Sequence, residues 1–289
     1  MKTLFESYSM DVDTAEVSKV LAIVNKEVGL LRSAEVYRQC LASVDYTTLN
    51  ATDTIERGRQ FAHKVNNFPA HYPGIPNVAA ICVYPALVPD IYLALRAPSV
   101  KIAAVGAGFP ASQTFLPVKI LECQEAVTAG ADEIDIVISL RRFLSEDYRF
   151  VFDEIRKIKG ALDEEAHLKV ILETGALSPT QVRLASFISM AAGADFIKTS
   201  TGKMEPAATP EAAIVMCQAI KEFYEKIGRR VGFKPAGGVV AADDAVLYYA
   251  IVKHILGDEW LTPDYFRIGA SRLANSLLSK ITGKEEKYF

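Results

Sequence analysis

The feature that most constrains this chain is a rhythm of short, apolar, β-branched runs. They fall at 42–46 (ASVDY), 78–84 (VAAICVY), 100–106 (VKIAAVG), 132–138 (DEIDIVI), 168–173 (LKVILE), 195–199 (DFIKT), 231–235 (VGFKP) and 265–269 (YFRIG). Helical periodicity fills the intervals, clearest at 53–66, 114–129, 146–162, 178–192, 209–227 and 242–256. Run starts are spaced roughly 20–36 residues apart, the length of one strand-plus-helix unit. Glycines at 130 and 193 close helices before the near-repeats AGADEID and AGADFIK, while Ser178-Pro179 and Thr209-Pro210 open them. Eight such units predict an α/β protein of the (β/α)8 TIM-barrel class rather than an open doubly wound sheet. Neither GxGxxG nor GxxxxGK[ST] occurs to favour the open-sheet nucleotide folds.

The rhythm leaves the two ends outside it. Residues 13–41 have helical spacing (Val17, Val20, Leu21, Val24, Val28), so 1–41 is read as an additional N-terminal helical segment, 42–280 as the barrel and 281–289 as a flexible tail. The extension is expected either to cover the barrel bottom or to form a subunit contact, with a homodimer as the assembly considered. Residues 66–77 (NNFPAHYPGIPN) read as an exposed, proline-rich connector.

A formal net charge of −3 gives no global attraction for nucleic acid or an anionic membrane, so any bound anion must be held locally. No run approaches the roughly 18 apolar residues of a membrane span. The segment MKTLFESYSMDVD lacks the apolar core of a signal peptide. Cys40, Cys82, Cys123 and Cys217 form no CxxC pair, and the four histidines are scattered. A cytoplasmic protein without a bound metal is the expectation.

A barrel changes what a charge in a strand means. Parallel strands are covered on both faces and should be almost wholly apolar, yet Asp45, Asp135, Lys169, Lys198 and Lys234 interrupt successive runs, with Glu133 and Glu173 nearer strand ends. Singly, each could be half of a structural ion pair, Cys82 a small hydrophobe, and Glu133 a structural residue at the strand entrance. Together they point elsewhere. Lys198 and Lys234 on adjacent strands repel each other, and desolvation also favours a neutral amine, the form that attacks carbonyls. Glycine-containing turns follow these strands: Gly202-Lys203 after the sixth, Gly237-Gly238 after the seventh and Gly269 through Ser271 at the eighth. Such turns let backbone N–H groups close on an anion, and barrels often hold phosphate after strands seven and eight.

ICVYP, DEIDIVI, LKVILETG, ADFIKTSTGK, GFKPAGGV and FRIGAS, in this order, closely resemble deoxyribose-phosphate aldolase, a class I aldolase family, from about residue 42 to 280. The resemblance implies reversible cleavage of 2-deoxyribose 5-phosphate to glyceraldehyde 3-phosphate and acetaldehyde, with neither metal nor organic cofactor. Motif by motif, it makes Lys198 the Schiff-base lysine, Lys234 the group that lowers its pKa, and Asp135 a proton relay assisted by Lys169. Gly202, Lys203, Gly237, Gly238 and Ser271 match phosphate-binding positions, and Thr199 and Gly269 join them as substrate-binding. Cys82, Asp45 and Thr47 match pocket-lining positions. The implied partners are phosphosugar and aldehyde substrates, and the implied pathway is deoxynucleoside catabolism.

The chain departs from the family pattern in several places. A basic residue usually follows the AGGV turn, where this chain has Val240, and a second serine usually follows GAS, where it has Arg272. Arg272 either restores the lost charge at the phosphate or faces solvent. GAGFPASQ lacks the usual asparagine of its turn. Some relatives carry a tail tyrosine that reaches the site, and Tyr288 is the corresponding candidate. Two other readings stay open: a different Schiff-base phosphosugar aldolase, and a non-catalytic phosphosugar-binding barrel.

Overall fold

The computed structural model describes residues 8–162, 164 and 166–289. Every predicted run forms a strand: β1 (Val44–Thr47), β2 (Ala80–Val83), β3 (Lys101–Gly106), β4 (Glu133–Val137), β5 (His167–Ile171), β6 (Phe196–Lys198), β7 (Gly232–Lys234) and β8 (Ile268–Ala270). All named pairings are parallel, in the order β7-β6-β5-β4-β3-β2-β1-β8. Bridges between Phe233 and Phe266 and between Ala236 and Gly269 bring β7 back to β8 and close the barrel.

The helices on the outside are α3 (Ile55–His71), α4 (Val88–Ala94), α5 (Leu116–Thr128), α6 (Leu140–Leu144), α7 (Tyr148–Lys159), α8 (Pro179–Ala191), α9 (Pro210–Ile227), α10 (Ala242–Leu256) and α11 (Leu273–Thr282). Their starts follow local chemistry. The Ser178 hydroxyl accepts from Gln181 N while the Gln181 side chain caps Ser178 N, a reciprocal box with Pro179 at the first position.

Two local readings change. The N-terminal segment forms two helices, α1 (Thr14–Leu31) and α2 (Ala34–Ala42), because Ser33 caps a new start at Val36 N. Val17, Val20, Val24 and Val28 bury one stripe of α1, and the helix packs on the flank of the barrel against α9 and α10. The predicted connector at 66–77 begins later than expected, since α3 continues through Pro69 to His71. Proline offers no N–H to the carbonyl four residues back. That carbonyl, Val65 O, instead accepts the Asn77 side-chain amide at 2.8 Å.

The tail residues lie along α3 and α11. Phe289 exchanges two hydrogen bonds with the Asn275 side chain, at 2.8 and 2.7 Å, and its ring meets Tyr46 and Phe68. The Tyr288 hydroxyl donates to Lys64 O at 2.6 Å, so its ring lies against α3. No helix among the described residues is long and apolar enough to cross a membrane.

Candidate active site

The barrel interior is divided. Ala80 and Cys82 of β2 and Ala103 and Val105 of β3 form a small apolar cluster with Leu49. The other strands fill their share with charge: Asp45, Glu133, Asp135, Lys169, Lys198, Lys234 and Arg267 are all buried. Strand register makes the grouping possible, placing Lys169 beside Asp135 and Lys198 beside Lys234.

Asp135 is the hub. Its Oδ2 accepts from Lys198 Nζ at 2.8 Å and from Lys234 Nζ at 2.7 Å. Its Oδ1 has no hydrogen-bond donor among the described residues, and Lys169 Nζ stands 3.4 Å away. Lys234 also donates to Asp45 Oδ2, and Lys169 to Glu133 Oε2. Arg267 closes the floor, donating to Asp45 Oδ1 and Glu133 Oε1 at 2.6 Å each. Glu133 is therefore part of this network, binding two cations below the hub.

The cluster holds four cations, Lys169, Lys198, Lys234 and Arg267, against three carboxylates, Asp45, Glu133 and Asp135. Burial alone would raise the Asp135 carboxyl, but Lys198, Lys234 and Lys169 outweigh it and hold the group well below the usual carboxylate range. Asp45 is lowered in the same way, with burial opposed by Lys234, Arg267 and Lys169. For Lys234, burial favours the neutral amine, yet Asp135 and Asp45 prevail and raise it above an ordinary lysine. It stays an ammonium. Lys198 has one carboxylate partner, shared with Lys234 through a single oxygen.

Lys198 is also the member of this cluster that opens onto a cavity. A space of about 510 Å³ above it is lined by the β1, β6, β7 and β8 loops. Thr47, Gly202, Lys203, Gly237, Gly238, Gly269, Ser271 and Arg272 all reach its wall. Asp45, Asp135, Lys169 and Lys234 lie beneath it. Cys82 sits in the apolar cluster, where burial pushes its thiol up. Thr199 straps β6 to β7, its hydroxyl donating to Ala236 O at 3.1 Å and accepting from Ala236 N at 2.9 Å. Arg272, rather than Ser271, occupies the N-cap position of α11.

The loops meet closely. Gly237 has φ +84°, and a Cβ there would stand 2.7 Å from Ala207 Cβ and 3.2 Å from Gly202 Cα, so only glycine lets the β6 and β7 loops touch. The β6 loop is anchored below by Glu173, which accepts from Thr201 N at 3.0 Å and Thr201 Oγ1 at 2.6 Å. Lys203 Nζ crosses the mouth to Leu49 O at 2.5 Å.

Sequence reasoning missed Arg267 and Arg57. The rule that singled out the lysines applied equally to Arg267, a charge inside the run YFRIG. Arg57 lines the cavity from α3, and its exposed helical setting gave no signal. Among the described residues, no group of three or more His, Cys, Asp or Glu side chains is arranged to hold a metal.

This geometry puts an amine at the base of an anion-suited cavity, above a carboxylate with a free oxygen. It can form a covalent adduct with a carbonyl and move protons beside it. Comparison with known proteins points the same way. A family profile described as DeoC/LacD family aldolase matches residues 40–271. A deoxyribose-phosphate aldolase of Bos taurus is 40% identical, covering 96% of both chains. That of Homo sapiens is 44% identical, covering 85% of this chain and 81% of its own. Among solved structures, a tetrameric deoxyribose phosphate aldolase from Aeropyrum pernix superposes with a TM-score of 0.68 at 27% identity, covering 89% of this chain and 96% of that one.

Proposed function

The chain belongs to the DeoC/LacD aldolase family, and from that premise we propose that it cleaves 2-deoxyribose 5-phosphate reversibly through a Schiff base on Lys198. The observation that carries the assignment is position: Lys198 lines the cavity and touches the Asp135 carboxylate, while the other buried cations lie below.

In the cleavage direction, the neutral Lys198 amine adds to the C1 aldehyde of the open-chain sugar, and the adduct takes up a proton and loses water to give an iminium. A base takes the C3 hydroxyl proton, the C2–C3 bond breaks, and its electron pair moves into the iminium. Glyceraldehyde 3-phosphate leaves and an enamine stays on Lys198. Protonation at C2 and hydrolysis release acetaldehyde and restore the amine. Asp135 Oδ1, with Lys169 at 3.4 Å, is the relay for these protons. Lys234, an ammonium fixed by two carboxylates, shares the Asp135 oxygen with Lys198 and keeps a positive charge beside the reacting nitrogen.

The phosphate is placed at the opposite end, on Gly202-Lys203, Gly237-Gly238 and Ser271. Arg272 lines the same cavity as Val240 and supplies the charge that valine lacks. Thr47, Thr199 and Gly269 shape the wall. Neither metal nor organic cofactor enters these steps, so activity should survive a chelator. We further assign the enzyme to the cytoplasm, a setting suited to four free, buried cysteines, and to a homodimer that light scattering would test.

Borohydride reduction with substrate present, followed by mass mapping, tests the nucleophile. The adduct is expected on Lys198; an adduct on Lys234, or none, would overturn the assignment. Acetaldehyde release from deoxyribose 5-phosphate separates this reading from another phosphosugar aldolase and from a non-catalytic binding barrel.

A further inference from the structure

We propose that Arg57 is an additional phosphate-binding and specificity-determining residue, supplying from α3 a cation to the wall of the cavity that Val240 also lines. The inference rests on the aldolase reading for the identity of the anion, a phosphomonoester, but its support lies in the charge of the cavity wall.

Four cations line the cavity, Arg57, Lys198, Lys203 and Arg272, against one carboxylate, Glu205. Lys198 is committed downward to Asp135. The rest surround the mouth on three separate elements: Lys203 from the β6 loop, Arg272 from the start of α11 and Arg57 from the first turn of α3. Neither Arg57 nor Arg272 forms an ion pair among the described residues. Asp53, one turn before Arg57, attracts it only at longer range, so the wall keeps an excess of positive charge that a bound anion would offset.

Arg57 is held in a posture suited to such a ligand. Its guanidinium lies over the Phe61 ring, 4.8 Å from the centroid. Phe61 is itself buried and stacked on Tyr46 at 4.0 Å. One face of the guanidinium is thus covered, while the N–H edges can engage two oxygens of a phosphate together. The first turn of a helix is also an unfavourable place for a positive charge, and a bound dianion would reverse that penalty. Val240, which lines the same cavity, is 39% exposed and carries no charge. Gly237 and Gly238 beside it can offer only backbone N–H groups. Lys203 bridges to Leu49 O in the β1 loop and so carries its ammonium to the side on which α3 stands.

The test compares kcat/KM for deoxyribose 5-phosphate with that for unphosphorylated deoxyribose, first in the natural protein and then in variants. Arg57→Ala is expected to lower the preference for the phosphorylated sugar about tenfold or more, chiefly through KM. It should weaken competitive inhibition by inorganic phosphate by a similar factor. Arg57→Lys should recover part of the loss, and Val240→Arg added to Arg57→Ala should recover part of it from the β7 loop. A preference within twofold of the natural protein in Arg57→Ala would overturn the proposal, making Arg57 a solvated helix residue. A natural protein that releases no acetaldehyde from either sugar would instead overturn the aldolase reading. The two failures are therefore distinct.

Discussion

The molecule buries lysines in two places, and the difference between them bears on the proposal that one charge is structural and the other reactive. Lys119, on α5 outside the barrel, is 1% exposed. Its ammonium donates to Ser112 Oγ at 2.7 Å, Ser139 Oγ at 2.9 Å and Glu154 Oε1 at 2.9 Å, and Ser139 donates in turn to Glu154 at 2.7 Å. One cation meets one carboxylate, and all three ammonium hydrogens have acceptors. Lys198 is almost as buried, at 3%, but shares its carboxylate oxygen with a second lysine and opens onto a cavity. Burial is common to both. Saturation of the charge is what differs.

The contrast can be broken or sharpened by variants in each network. The largest effect is expected from Lys198→Met, with kcat falling at least about a thousandfold and the borohydride adduct lost while the thermal midpoint stays near that of the natural protein. Retention of a tenth of the activity would remove the distinction altogether. Lys119→Met should do the reverse. It leaves Glu154 charged, buried and unpaired, costing about 3–5 kcal/mol in urea unfolding, with kcat per folded molecule nearly unchanged. A hundredfold loss of kcat there would mean that the two networks are coupled.

A smaller effect sharpens the structural half. Replacing both partners, Lys119→Met with Glu154→Leu, should recover about 2 kcal/mol or more relative to Lys119→Met alone, as expected when the penalty comes from an orphaned charge. The smallest effect concerns acid. Asp45 and Asp135 are depressed in the folded state, so the stability they confer is fully present above the unfolded carboxylate value near ~4 and is lost as pH falls below it. Asp45→Asn should reduce the slope of unfolding free energy against pH in that acid range by about 1.4 kcal/mol per pH unit. An unchanged slope would show that the carboxylate does not titrate with unfolding.

The sequence disclosed the barrel because each parallel strand must be a short apolar run, and turn chemistry marked several helix ends. It disclosed Asp135, Lys169, Lys198 and Lys234 because a charge in such a run demands an explanation. The same rule applies to Arg267, a charge inside the run YFRIG. Arg57 is different: a cation in an exposed helical turn has no unusual local context until the fold brings α3 to the cavity mouth. The extension of α3 past Pro69 was hidden for a related reason, since the Asn77 amide that replaces the missing donor comes from beyond the helix. Lys119 and Glu154 sit in ordinary amphipathic patterns, and their partnership exists only once α5 packs on α7.

The shared oxygen of Asp135 has a consequence for repeated turnover. When the Lys198 amine becomes an iminium in the proposed cycle, it keeps a single N–H and can no longer be relied on as a donor. Asp135 Oδ2 still has Lys234 at 2.7 Å, so the carboxylate neither swings nor needs a replacement partner while substrate carbon occupies the lysine. After hydrolysis, the regenerated amine finds its acceptor where it left it. The barrel can therefore begin each round from the same arrangement of protons, without repacking its interior between one sugar and the next.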